Sequence, residues 1–147
     1  MKRTIFALAI LVLALGVTGA TYEEPQNAIA NINPSSSTIT RQEARWIYTL
    51  KTRFWHDGSR ITVYHLPMDH ADHKEFVRTV LEMQPSAYTK TINANVNSGV
   101  TNVVKEVKNH QQMLDAVQGK YGAVGYLSKD FLLVNGIGHV DVLKIID

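Results

Sequence analysis

Residues 63–81 have the sequence Val-Tyr-His-Leu-Pro-Met-Asp-His-Ala-Asp-His-Lys-Glu-Phe-Val-Arg-Thr-Val-Leu, and this stretch predicts a β-strand that runs into an α-helix. The strand ends at Pro67, and the helix begins near Asp69 or His70, with Asp69 as the expected N-cap. Apolar residues in its second half recur at three- and four-residue spacing and give it one buried face. Because free amides and the helix dipole point outward at such a start, the stretch predicts an anion site, or else an ordinary α/β unit without a ligand.

The first 20 residues predict an exported protein. They combine Lys2-Arg3, an apolar run from Ile5 to Val17, and the small residues before position 21, which is the pattern of a secretory signal peptide. The apolar run has 13 residues, whereas spanning a bilayer takes roughly 20. We therefore expect cleavage after Ala20, one mature domain over residues 21–147, a periplasmic or secreted location, and no stable membrane insertion after cleavage.

Charge and cysteine content exclude several classes of protein. The chain has 15 Lys and Arg against 13 Asp and Glu, but Lys2 and Arg3 lie in the predicted signal peptide, so the mature counts are 13 and 13. This balance argues against a nucleic-acid or membrane-surface partner, which would require a net basic patch. The sequence has no cysteine, so the mature protein has neither a disulfide nor a lipid-modified cysteine.

The rest of the chain alternates between predicted strands and helices, which indicates an α/β fold with a small mixed sheet flanked by helices. Capping boxes at Thr40 and Asn109 open two helices, and Ser86 is the expected cap of another. Val100–Val107 is either a strand or an extended connector. Gly125 indicates that another backbone, or a ligand, passes close to its strand. The remaining predicted strands are 28–32, 61–64, 123–127, and a hairpin of 131–134 with 140–145 through the turn at 135–138.

Five segments occur in an order that resembles a known family: 39–48, 54–61, 67–76, 98–99 and 121–127. The family has an Ile-Phe-x-Gly helix end, a Trp-x-Asp-Gly-x-x-Ile turn, a serine-bearing turn before a helix, and a late Pro-Gly-Ala-Ile-Gly-Tyr strand. In this order the chain resembles short exported relatives of phosphate ABC-transporter substrate-binding proteins, in the type II periplasmic binding protein superfamily. The resemblance implies a PBP-like domain equivalent to about one lobe of such a protein.

The resemblance also implies a ligand and a site. Longer members hold an oxyanion between two lobes, so phosphate or another small anion is the expected ligand, with no cofactor. Where members carry a Gly-Ser pair and a nearby Arg, this chain has Asp69-His70 and His73. Since the chain has room for about one lobe, we expect half a cleft and weak binding. The implied ligand-binding residues are Asp69, His70, Ala71, His73, Ser98 and Gly99.

Three other interpretations stand beside the anion site. Imidazole and carboxylate groups suit Zn²⁺ or Cu²⁺, so His65, His70 and His73 form a weaker metal-binding alternative. Exposed aromatic residues would serve a protein partner, whereas buried ones would close the core; the candidates are Trp46, Tyr48, Phe54 and Trp55. An accessory or signalling protein of the envelope would keep the fold without the ligand and act through a partner there.

We expect no enzyme, because the chain has neither a cysteine nucleophile nor a Gly-x-Ser-x-Gly elbow.

Overall fold

The structure is a computed structural model, and it describes residues 27–30, 38–100, 104–136 and 139–147. The predicted signal peptide, the start of the mature domain, and parts of the predicted segments 28–32, 100–107 and 135–138 lie outside the described residues. The elements are β1 (Asn27–Ala30), β2 (Thr38–Thr40), α1 (Arg41–Tyr48), β3 (Thr62–His65), α2 (Ala71–Thr79), α3 (Pro85–Asn97), β4 (Val104–Glu106), α4 (His110–Gln118), β5 (Ala123–Leu127), α5 (Lys129–Asn135) and β6 (Asp141–Ile146).

The strands form one six-stranded sheet in the order β2-β6-β1-β5-β3-β4. Strand β3 pairs in parallel with β4 and β5, and β2 pairs in parallel with β6. Strand β1 is antiparallel to both β5 and β6. The sheet is therefore mixed and flanked by helices, which confirms the predicted fold class.

The parallel strands define two edges that organise the rest of the molecule. Strands β3, β4 and β5 run in one direction, so their carboxyl ends lie at the same edge of the sheet. Helices α2, α4 and α5 begin at that edge, which we call the carboxyl edge. The opposite amino edge carries the segments that enter β3 and β5. In open α/β sheets, ligands bind at the carboxyl edge.

Local capping signals place two helices as predicted. The Thr40 hydroxyl accepts a hydrogen bond from the Glu43 amide, and the Glu43 carboxylate accepts one from the Thr40 amide, so α1 begins with a complete capping box. The Asn109 side chain accepts a hydrogen bond from the Gln112 amide at the start of α4. These bonds satisfy amides that have no partner within the helix.

Two predicted helix caps are wrong. His70, not Asp69, is the N-cap of α2, and its Nδ1 accepts a hydrogen bond from the Asp72 amide. The His70 amide itself donates to the Pro67 carbonyl, so Asp69 lies inside a turn before the helix. Helix α3 begins at Pro85 with Gln84 as N-cap, and Ser86 is already helical. A proline suits the first helical position because its fixed φ is compatible with the helix and it has no amide to satisfy there.

The predicted hairpin of 131–134 with 140–145 is also wrong, because the first of these segments is helix α5. The Ser128 hydroxyl accepts a hydrogen bond from the Phe131 amide, and Gly136 ends the helix at φ 71°. Caps at both ends outweigh the strand propensity of a short apolar run. The second segment is indeed a strand, but β6 pairs with β1 and β2.

The close approach at Gly125 on β5 is made by side chains of α4, and not by the backbone or ligand that was predicted there. A Cβ at this position would come within 2.5 Å of Met113 Sδ and 3.0 Å of Val117 Cγ2. Helix α4 therefore packs directly on β5, which it contacts through its buried face. Within the described residues, no helix combines the length and the apolar character needed to cross a bilayer.

Candidate functional site

The start of α2 presents the exposed part of the candidate site. Asp69 and Ala71 are exposed, and His70 is half-buried. His70 Nδ1 lies 3.2 Å from the Asp72 amide that it caps. This start holds helix amides and an imidazole together at the carboxyl edge, where the helix dipole favours negative charge.

His73 lies beneath this surface and is 1% exposed. Its Nδ1 is 2.6 Å from the Tyr126 hydroxyl oxygen, which also accepts a hydrogen bond from the Leu66 amide at 2.9 Å. Burial raises the pKa of Tyr126, so its hydroxyl keeps the proton, and one hydrogen bond joins this hydroxyl to His73 Nδ1.

Burial also sets the protonation state of His73. Desolvation lowers its pKa to about 4, with smaller contributions from His65 and His70. His73 is therefore neutral at pH 7 and cannot act as a cationic partner for an anion. Since it is buried, it supports the α2 start from below through Tyr126.

The weaker metal alternative gains no support from this geometry. His65 is buried, its Nδ1 is 2.7 Å from the Leu66 carbonyl, and its ring centroid is 5.7 Å from that of His73. His70 uses its Nδ1 as the α2 cap. Across residues 27–30, 38–100, 104–136 and 139–147, no group of three His, Asp or Glu side chains is arranged to hold a metal ion.

A second pair of side chains connects α2 to α4. Asp72 Oδ2 lies 2.6 Å from Nε2 of His110, the first residue of α4. The His110 ring is 6.1 Å from the His70 ring and 5.5 Å from the Phe131 ring of α5, measured between centroids. Two helix starts, those of α2 and α4, thus converge on His110, with the first turn of α5 beside it.

Ser98 and Gly99 lie in a turn that contacts a different helix. Ser98 caps the end of α3 and its hydroxyl donates to the Asn95 carbonyl, while Gly99 has φ 93°. The Asn95 side-chain amide donates to the Thr49 carbonyl at the end of α1. The hydrogen bonds of the described residues therefore connect this turn to α1 and do not join it to Asp69–His73.

Sequence reasoning missed His110 and Tyr126. His110 is 38 residues from Asp72, and Tyr126 is 53 residues from His73, so no local pattern links the partners. One signal was available for His110. His110 follows Asn109, the predicted cap of a helix, and this helix comes after the β-branched segment 100–107. Parallel pairing of that segment with β3 would bring His110 to the carboxyl edge.

This fold is similar to part of the structures of phosphate ABC-transporter substrate-binding proteins. No family model matches the sequence, and no curated protein sequence matches it. Solved structures do match the fold. A putative phosphate ABC transporter substrate-binding protein with bound phosphate from Clostridium perfringens has a TM-score of 0.62 and 19% identity, over 83% of this chain and 45% of its own.

Two further structures agree. An ABC-type phosphate transport receptor from Vibrio cholerae has a TM-score of 0.58 and 12% identity, over 83% of this chain and 46% of its own. PstS from Borrelia burgdorferi has a TM-score of 0.57 and 12% identity, over 83% of this chain and 47% of its own. The predicted resemblance is therefore confirmed for the fold, and the chain spans under half the length of each of these proteins.

Proposed function

We propose that this protein is an exported solute-binding module whose carboxyl edge binds a small oxyanion, with phosphate the first candidate. The observation that carries the proposal is the convergence of the α2 and α4 starts on the His110–Asp72 pair. Because the two helix starts meet at one point, their positive dipole ends and free amides lie together. An anion could bind there, either beside the His110–Asp72 pair or in its place. The fold shared with phosphate-binding proteins supports the same assignment.

The sequence-derived residues take different roles in this proposal. His70 and the amide of Ala71 contact the anion, and Asp69 borders it, because these residues lie at the surface of the α2 start. His73 positions α2 from below. Ser98 and Gly99 remain a prediction from the family resemblance.

We expect binding to be weak. The residues at the α2 start are exposed, and this chain covers under half the length of each structure that shares the fold. The Asp72 carboxylate also competes with any anion, since its side chain is only 34% exposed and already pairs with His110. A Kd of about 1 mM would give about 1.4 kcal/mol of stabilisation at ten times that concentration.

The same carboxylate favours a second candidate function. Asp72 supplies a negative group to the two helix starts, so the protein has an internal substitute for the anion. In that case the protein is an accessory or signalling component of the envelope that keeps the fold and acts through a partner. It would not respond to oxyanions.

A thermal unfolding series separates the two. Millimolar phosphate and sulfate, with chloride at equal ionic strength as control, should raise the Tm of the wild type by a few degrees at pH 6 and pH 7.5. Asp72→Asn should increase the shift by removing the competing charge. His70→Ser keeps a capping side chain but removes the imidazole, so it should reduce the shift; His56→Ser, at an exposed turn of the amino edge, should not.

A flat response would contradict the binding proposal. If neither the wild type nor Asp72→Asn responds to either oxyanion at both pH values, the accessory function replaces it. Zn²⁺ and Cu²⁺ in the same series address the metal alternative. A metal-dependent shift that disappears in His70→Ala/His73→Ala would support that alternative against the anion.

A further inference from the structure

A second surface, at the amino edge, is not used by the proposed function. Residues 53–61 form a hairpin in which Phe54 pairs with Arg60, and the Ile61 amide donates to the Arg53 carbonyl at 2.9 Å. The Trp55 indole N–H donates to the Gly122 carbonyl at 2.9 Å. This bond holds the hairpin against the turn that enters β5.

The hairpin and the turn expose two aromatic side chains. Phe54 is 57% exposed and Tyr121 is 52% exposed. Phe54 and Arg60 are cross-strand partners, so their side chains lie on the same face of the hairpin. The Tyr121 hydroxyl donates to Asp57 in the hairpin turn, which fixes the position of its ring.

Four cations neighbour these two aromatic residues along the chain or across the hairpin, and we call the six residues together the amino-edge surface: Lys51, Arg53, Phe54, Arg60, Lys120 and Tyr121. All four cations are exposed, and in the described part of the chain none forms an ion pair. Asp57 is the one carboxylate in residues 51–61 and 119–122. It already accepts hydrogen bonds from Ser59 and Tyr121.

This local charge contrasts with the whole chain. The predicted mature protein has equal numbers of acidic and basic residues, yet residues 51–61 and 119–122 hold four cations and one carboxylate. Exposed cations next to exposed aromatic residues suit a partner that is both anionic and apolar. A bilayer with anionic headgroups has both properties, since cations bind the headgroups and aromatic rings sit at the boundary with the acyl chains.

We propose that the amino-edge surface binds anionic lipid bilayers peripherally. The cations Lys51, Arg53, Arg60 and Lys120 contact headgroup phosphates, and the Phe54 and Tyr121 rings enter the interface. The exposed rings favour a bilayer over a purely hydrophilic polyanion, which would need the cations alone. In this orientation the carboxyl edge, at the other end of β3 and β5, faces away from the membrane.

Vesicle flotation tests the proposal with the full chain. Wild type should float with phosphatidylcholine vesicles that contain phosphatidylglycerol, float much less with phosphatidylcholine alone, and dissociate at high salt. Each neutralised cation should lower the partition coefficient about fivefold, so Arg53→Gln/Arg60→Gln/Lys120→Gln should lower it on the order of a hundredfold. Phe54→Ser should lower it severalfold with the charge unchanged.

The control is Lys90→Gln/Lys108→Gln/Lys144→Gln, which removes the same charge from exposed sites on other elements and should leave flotation nearly unchanged. All variants carry the same N-terminal segment, so its own affinity for lipid cancels. Equal losses in the two triple variants would overturn the proposal, as would binding that persists in the amino-edge triple variant. Binding to heparin with no effect of Phe54→Ser on flotation would replace the bilayer with a polyanion. Unchanged thermal unfolding of each variant excludes misfolding.

Discussion

The two edges of the parallel strands hold their polar groups in opposite ways. At the carboxyl edge, His73 and Tyr126 are buried and bonded to each other, and Asp72 pairs with His110. At the amino edge, the exposed cations next to Phe54 and Tyr121 form no ion pair with any other residue that the structure describes. Buried groups must be neutral or paired, because an isolated buried charge is very costly, whereas exposed cations stay charged. The carboxyl edge is thus suited to a small ligand held at defined positions, and the amino edge to an extended charged surface.

The strongest test of the amino edge is Gly122→Ala. Gly122 has φ 80°, and an added Cβ would collide with the backbone carbonyl of Arg60. Left-handed strain costs about 1–2 kcal/mol, and overpacking adds about 1–3 kcal/mol. We expect urea unfolding to show a loss of about 3–4 kcal/mol, together with a change in Trp55 fluorescence because its indole bonds to the Gly122 carbonyl.

Gly58→Ala is the matched control, because Gly58 has φ 82° but nothing within 4 Å of an added Cβ. It should lose about 1 kcal/mol from backbone strain alone. Equal losses in the two variants would show that the hairpin does not pack against the β5 turn as described.

The edges should also respond to different ranges of pH. The pKa of His73 is about 4 in the folded protein and about 6.5 in an unfolded chain. Between these values the unfolded chain binds a proton that the folded protein does not, so stability falls as pH falls from 6.5 toward 4. The slope is up to about 1.4 kcal/mol per pH unit, and His65 acts in the same direction because burial lowers its pKa as well.

At the amino edge, Asp57 changes the stability over a lower range of pH. Hydrogen bonds from Ser59 and Tyr121 lower its pKa to about 2, so its contribution to stability is complete above pH 3.8 and is lost as pH falls toward 2. Chemical unfolding at a series of pH values measures the contributions of both His73 and Asp57 to the free energy of unfolding. His73→Gln should flatten the curve between pH 6.5 and 4, and Asp57→Asn should not. If His73→Gln keeps the wild-type slope, His73 is not the neutral buried group described.

The sequence predicts those features of the fold that depend on local signals. The caps at Thr40 and Asn109 placed α1 and α4 because cap, helix start and apolar face lie within a few residues. Helix α5 was missed although Ser128 and Gly136 are ordinary cap residues. Its four apolar residues, Phe131–Val134, suit a strand as well as a helix, and periodicity cannot separate the two over so short a run.

For the candidate site as well, the sequence predicts the residues that are close in the chain and not their distant partners. Asp69–His73 was found because a strand, a turn and a helix start follow one another in the chain. Its partners Tyr126 and His110 come from β5 and α4, and only the parallel pairing of β3 with β4 and β5 brings them there. The burial of His73 could not be predicted either, because a histidine in the first turn of a helix is buried or exposed according to what packs against it.

The smallest expected effect concerns two buried tyrosines whose rings lie beside that of His73, Tyr126 and Tyr88. Tyr126→Phe removes a hydroxyl that bonds the Leu66 amide and His73 Nδ1, so it leaves two buried polar atoms unsatisfied. We expect a loss of about 2 kcal/mol. Tyr88 is equally buried and its ring lies 5.3 Å from that of His73, but its hydroxyl has no hydrogen-bond partner among the described residues.

Tyr88→Phe is therefore the matched control, and it should be neutral or stabilising by up to about 1 kcal/mol. Both changes remove a single oxygen from a buried ring, so differences in burial cannot explain a difference between them. Urea unfolding at pH 7.5, where His73 is neutral, gives the two free energies. A similar loss in both would mean that the Tyr126 hydroxyl does not hold His73 beneath the α2 start. The carboxyl edge would then owe its geometry to packing of α2 and α4 alone, and its buried polar groups would no longer set it apart from the amino edge.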